Sequence, residues 1–221
     1  MELTLAEQLL LLALDDDKGH LTVDDTRLHY ALSAALLLSL ALAGRLNLVS
    51  KKIRVVSDAP VGDIHQNQLL QKITGEKQVK PLKSWLQLYS DHHDIRKDVT
   101  EGLVEKGVLT RTEKKVLWVF RIIRYPTQNI APEKNLRQHL NAVINREATP
   151  TPGDIMLLSL IQVAGLRKEV FGKEKQVEEE VTALVERERL AREAGDAVKV
   201  IMDEMAALLP TVVATTVISP N

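Results

Sequence analysis

The 221-residue sequence contains no cysteine, which excludes disulfide scaffolds, thiolate nucleophiles and cysteine-ligated metals. Aromatic residues are scarce, seven in all or 3% of the chain, so the core has to be aliphatic. Net charge is nearly absent as well. With 29 basic against 30 acidic side chains, no global field marks the protein for nucleic acid or an anionic membrane, and either partner would have to be met by a local patch. Long apolar runs are missing too. The run over residues 31–43 is 13 long, short of the roughly 18 that a membrane span requires, and the apolar stretch over residues 205–219 is broken by Pro210. No secretory signal is visible, so a soluble, cytoplasmic chain with at most peripheral membrane contact is expected. No stretch is rich enough in Pro, Gly or Ser to act as a linker. A single domain over residues 1–221 follows, and 45% hydrophobic residues are ample for its core.

What is present reads as mainly α. Thr4 and Glu7 have capping-box spacing ahead of Leu9, Leu10, Leu12 and Leu14, which predicts a buried first helix ending at Asp15-Asp16-Asp17 and Gly19. Residues 22–25 offer caps for a second helix to Leu42, almost continuously Leu and Ala, which reads as the central core helix; Gly44 is placed to end it. Alternating, β-branched residues 45–56 then predict a hairpin. The design recurs after Gly107, with strands expected at residues 108–111 and 116–119 and a turn at 112–115. In both units a Lys-Lys pair follows the glycine by seven and eight residues, which hints at an internal duplication. Further helices are expected over residues 63–73, 81–89, 133–145, 154–170, 173–193 and 197–209. The fold class is therefore a compact helical domain with a central apolar helix and two short β-hairpins following helices.

Little of this carries catalytic chemistry. Asp91-His92-His93-Asp94 resembles a metal cluster, but adjacent residues point in different directions and no second pair stands at ligand spacing. Asp15 to Asp17 lacks the glycine and distal glutamate of a calcium loop. No nucleophile with an adjacent base and no phosphate-binding glycine pattern occurs, so no enzymatic activity, metal or cofactor is expected.

The second hairpin stands out. Residues 106–124 hold six basic side chains (Lys106, Arg111, Lys114, Lys115, Arg121, Arg124) against one acidic, Glu113. Trp118, Phe120 and Tyr125 lie in or just after this segment among Leu117, Val119, Ile122 and Ile123. Rings with cations favour a lipid headgroup interface. The same composition also fits a hairpin that packs its apolar face on the helices and solvates its lysines. A helix followed by a basic two-stranded wing resembles winged-helix nucleic-acid binders, but the helix before it carries Glu101 and Glu105 and no run of groove-reading side chains. A third reading is an interaction scaffold that forms a homo-oligomer through its apolar helices.

Five stretches in order resemble the Golgi phosphoprotein 3 family. They are Leu3-Thr4-Leu5-Ala6-Glu7-Gln8-Leu9-Leu10-Leu11-Leu12-Ala13-Leu14-Asp15-Asp16, Leu40-Ala41-Leu42-Ala43-Gly44-Arg45-Leu46, Ser57-Asp58-Ala59-Pro60-Val61-Gly62-Asp63, Leu103-Val104-Glu105-Lys106-Gly107-Val108-Leu109 and Arg124-Tyr125-Pro126. The resemblance implies a helical domain that binds phosphoinositide headgroups, phosphatidylinositol 4-phosphate in eukaryotic members, and dips a hydrophobic hairpin into the bilayer. It places that hairpin on Leu117, Trp118, Phe120, Arg121, Ile122, Ile123, Arg124 and Tyr125. Of the family's paired headgroup arginines, Arg96 matches the second, and His93 stands at the first. The family's pocket tryptophan and second-helix arginine fall on Asp24 and Ser33.

The expected function is thus a non-enzymatic peripheral membrane protein that recognises an anionic phospholipid surface, with no nucleic-acid partner. A contribution from His93 would strengthen binding towards about pH 6. Eukaryotic members carry an arginine-bearing extension that engages coat proteins and glycosyltransferase tails, whereas this chain starts directly at the domain. With Arg124-Tyr125-Pro126, that start leads to the expectation of a bacterial-type member.

Overall fold

The structure, a computed structural model, describes residues 2–92, 95–116, 120–172, 175–190, Val200, Ile201, Asp203, Glu204 and Ala207. Helix α1 (Leu5–Leu12) begins on the capping box: Thr4 Oγ1 accepts the Glu7 amide, and the Glu7 carboxylate accepts the Thr4 amide at 2.7 Å. Asp24 caps α2 (Asp25–Leu42) by accepting the Arg27 amide at 2.9 Å. Leu28, Leu32, Leu36 and Leu40 mark one stripe of α2 and Ala31, Ala34, Leu37 and Leu38 others, all buried. A helix buried all round is the centre of a core, and α2 packs against α1, α3 (Ile64–Thr74), α4 (Leu82–His92), α5 (Ile95–Glu105) and α7 (Pro152–Ala164). Each fully buried leucine contributes roughly 1.5–3 kcal/mol. Outside the second hairpin, Trp85 and Tyr30 are buried core side chains.

Both helix-to-hairpin joints are built alike. After α2 the Gly44 amide donates to Ala41 O and the Arg45 amide to Leu40 O; after α5 Gly107 donates to Val104 O and Val108 to Leu103 O. The glycines sit at φ 69° and 67°, the left-handed turn that ends a helix with paired back-bonds. Strands β1 (Leu46–Val49) and β2 (Lys52–Val55) then pair antiparallel through a two-residue turn at Ser50-Lys51, both with positive φ. Lys51 in that turn is ion-paired with Glu204.

The second hairpin departs from the expected register. Strands β3 (Thr112–Val116) and β4 (Phe120–Arg124) pair Thr112 with Arg124 and Val116 with Phe120, so the expected turn at 112–115 is itself a strand. Leu109 bridges Thr127 in the same register, while Val108 and Leu109 are fully buried. The foot of the hairpin is anchored in the core, and the ladder is carried further out than local alternation indicates. The Lys-Lys pairs are consequently inequivalent, spanning the turn into β2 in one unit and lying within β3 in the other, which weakens the duplication. Leu117, Trp118 and Val119 lie outside the described residues.

Helix α6 (Ala131–Ile144) leads to α7, whose Thr151 makes a second capping box with Asp154. The single helix expected over residues 154–170 is two: Gly165 at φ 78° ends α7, and α8 (Arg167–Phe171) follows. Helix α9 (Lys175–Leu190) packs on α6, α7 and α8. Of the helix expected over 197–209, Val200, Ile201, Asp203, Glu204 and Ala207 are helical, and the remainder lies outside the described residues. No helix among the described residues is long and apolar enough to cross a membrane. The fold is mainly helical with two small antiparallel strand pairs, as the sequence implies.

Candidate functional site

The loop from Asp15 to Gly19 folds back onto the foot of the second hairpin. Thr127 donates from its amide to Asp16 O at 3.0 Å and from Oγ1 to Asp16 Oδ1 at 2.8 Å. Gly19 lies so close that a Cβ there would stand 2.3 Å from the Tyr125 carbonyl carbon. This closure walls a cleft of about 880 Å³ between the loop, the start of α2, one face of α5 and the hairpin foot.

Among the described residues four cations line the cleft: Arg96 and Lys97 from the first turn of α5, Arg111 just before β3, and Arg124 at the end of β4. Arg111 neighbours Thr112, whose ladder partner is Arg124, so the hairpin register brings these two arginines to one end of the sheet. Among the described residues neither has a carboxylate partner. Arg96 does: its Nη1 lies 3.1 Å from Asp25 Oδ1, both half-exposed. Lys97 stands 4.0 Å from Glu101 one turn on. Leu21, Val23, Tyr125 and Ile123 supply an apolar rim, with Ile123 43% exposed. A second concavity, of about 700 Å³, is lined by Glu2, Glu7, Asp63 and Glu105 beside Lys106 and His65. Its acidic excess is wrong for an anion, so the first cleft is the candidate site.

Of the residues singled out from sequence, Arg96, Ile123, Arg124 and Tyr125 meet in this cleft. Phe120, Arg121 and Ile122 lie in β4 by backbone register; their side chains, with His93, Leu117 and Trp118, lie outside the described residues. Asp91 and His92 fall within the last turn of α4. Asp24 and Ser33 do not line the cleft: Asp24 is the α2 cap, and the buried Ser33 hydroxyl donates to His29 O at 3.0 Å. Lys97, Arg111, His20 and Asp25 were missed as site residues. Only the charge count over 106–124 pointed at Arg111, and nothing local pointed at the others.

A helical core with two capped hairpins and a cationic cleft at the foot of one of them defines the class, and comparison with known proteins gives it a family. The Golgi phosphoprotein 3 (GPP34) family model matches residues 5–205; the chain belongs to this family. It is also similar to vacuolar protein sorting-associated protein 74 of Eremothecium gossypii, 27% identical over 164 residues, 64% of this chain and 49% of that protein. The chain thus matches about half the length of this relative. The bacterial-type expectation is not borne out, since the relative is fungal. The backbone of Tyr125-Pro126 lies against Gly19 at the hairpin foot.

Proposed function

We propose that the protein is a non-enzymatic peripheral membrane protein that binds anionic, phosphoinositide-like headgroups in the Arg96 cleft while the tip of the β3–β4 hairpin inserts shallowly into the bilayer. The observation that carries this reading is the convergence of Arg96, Lys97, Arg111 and Arg124 on one cleft whose rim includes the exposed Ile123. Arginine presents a planar, permanently charged fork suited to phosphate oxygens. The apolar and aromatic residues of the hairpin, Leu117, Trp118, Phe120, Ile122 and Ile123, are the types that partition to the headgroup boundary. The names of the family and the relative refer to the Golgi and to vacuolar sorting, consistent with a cytoplasmic protein at an internal membrane surface. The family's headgroup positions fall here on His93, Asp24 and Ser33, so the cationic contacts to the headgroup come from Arg96, Lys97, Arg111 and Arg124.

Co-sedimentation with vesicles of phosphatidylcholine alone, or with added phosphatidylserine or phosphatidylinositol 4-phosphate, tests the reading. Binding to the anionic vesicles, lost on Arg96→Ala, is expected. Undiminished binding after Trp118→Ala, Arg121→Ala and Arg124→Ala together removes the hairpin from the mechanism. Salt-sensitive DNA binding with no vesicle binding replaces the lipid reading altogether.

A further inference from the structure

A second uncompensated basic surface lies at the other end of α2. Residues 45–83 hold eight Lys and Arg against three Asp and Glu, an excess as large as that of residues 106–124. The ladder of hairpin β1–β2 buries Leu46, Leu48 and Ile53 and turns Asn47, Val49, Lys52 and Arg54 outward. Lys52 bridges Pro81, and the Leu82 amide donates to Lys51 O at 2.9 Å, so the chain leading into α4 runs beside β2. That segment adds Lys77 and Lys83, both exposed, and Val79, 54% exposed. Among the described residues Lys51 is ion-paired with Glu204 and Lys80 with Glu76. Among the described residues Lys52, Arg54, Lys77 and Lys83 have no carboxylate partner.

We propose that the outward face of β1–β2, with residues 77–83, is a second contact for the same anionic bilayer, using Lys52, Arg54, Lys77 and Lys83 as headgroup-facing cations and Val49 and Val79 as shallow apolar contacts. This rests on the membrane reading above. Aliphatic side chains interspersed with unpaired cations match a lipid interface better than they match an acidic peptide, which would leave the valines unused. Spacing supports it. Helix α2 has 18 residues, about 27 Å at 1.5 Å per residue. The Arg96 cleft opens at its first turn and β1 follows its last. The two contacts therefore stand about one α2 length apart, and two weak contacts in one molecule bind far more firmly than either alone.

The test compares full-length wild type with Lys52→Gln/Arg54→Gln/Lys83→Gln on phosphatidylcholine vesicles with and without phosphatidylserine. Each cation near an anionic surface contributes about fivefold to partitioning. The triple variant should therefore bind the anionic vesicles at least about tenfold more weakly, with unchanged thermal unfolding and unchanged binding to neutral vesicles. Affinity within twofold of wild type on anionic vesicles, in a protein whose binding still falls on Trp118→Ala, overturns the second contact and leaves the hairpin reading standing. Absence of wild-type binding to any vesicle overturns both. Loss of binding to polyglutamate with vesicle binding intact assigns the face to an acidic protein and likewise overturns the proposal.

Discussion

Thr127 Oγ1 donates to Asp16 Oδ1 at 2.8 Å across 111 positions of sequence, and the Thr127 amide donates to Asp16 O. These bonds, with the packing of Gly19 on Tyr125 and Pro126, fix the hairpin foot to the loop after α1 and so set the width of the cationic cleft.

Gly19 is the least replaceable residue of this joint. At φ 60° any side chain is strained, and a Cβ would meet Tyr125 C, Tyr125 O and Pro126 N at 2.3–2.6 Å, backbone atoms that cannot rotate away. Gly44 provides the control, because its φ is 69° yet nothing lies within 4 Å. Gly44→Ala should cost about 1 kcal/mol, the strain of the left-handed turn alone, and Gly19→Ala about 2–4 kcal/mol. Urea unfolding measures both. Equal costs would contradict the close approach.

Glu133, on α6, is buried, and its carboxyl is pushed above the usual range, first by burial and further by Asp16; the hydrogen bond and charge of Arg137 oppose this. Arg137 Nε donates to Glu133 Oε1 at 2.7 Å, and its Nη1 donates to Glu169 O and Val170 O; among the described residues Glu133 Oε2 has no hydrogen-bond partner. A raised native pKa means that the folded state holds the proton more tightly. The stability this contributes is complete below about pH 4.5, the unperturbed value, and is lost as pH rises through the native value. Glu133→Gln cannot lose that proton. Its stability relative to wild type should therefore increase from pH 4.5 towards neutrality in urea titrations, and a parallel pair of curves would contradict the shift.

Glu7 serves two elements at once. Its carboxylate closes the α1 capping box and accepts a 2.6 Å bond from Lys106 at the end of α5, while 4% exposed. Glu7→Ala leaves the Thr4 amide without this acceptor and the Lys106 ammonium without its carboxylate. A loss of about 2–4 kcal/mol is expected. Lys106→Ala should cost less, because Lys106 is partly solvated and Glu7 keeps the Thr4 amide. Chemical denaturation of the two variants checks the order.

Most of the fold was legible because its signals are local. The Thr4 to Glu7 box, the Leu/Ala density of α2 and the glycines at 44 and 107 each act within a few residues. The α7–α8 break was missed because apolar periodicity continues across Gly165, and only the backbone turn there divides the helix. The β3–β4 register was missed because its foot is held by the burial of Val108 and Leu109 and by Thr127, contacts that alternation does not encode. The cleft was legible only in part. Arg96 was reached through resemblance, and Arg111 and Arg124 fall in the charge excess over residues 106–124, but Asp25 and Lys97 join them only once α2, α5 and the hairpin pack together.

The Arg96–Asp25 pair sharpens the test of headgroup binding, because its two members should have opposite effects. The pair is half-exposed and contributes at most about 1 kcal/mol to stability, so neither variant should unfold the protein. Arg96→Ala removes a charge-assisted donor from the cleft and should weaken binding to vesicles containing phosphatidylinositol 4-phosphate by about tenfold or more. Asp25→Asn frees the guanidinium and removes a like charge from the path of the phosphate, so binding should tighten several-fold. The gain should vanish in Arg96→Ala/Asp25→Asn, since Asp25 acts largely through Arg96. A decrease on Asp25→Asn, or an undiminished gain in the double variant, would place the anion away from Arg96 and shift the site towards Arg111 and Arg124.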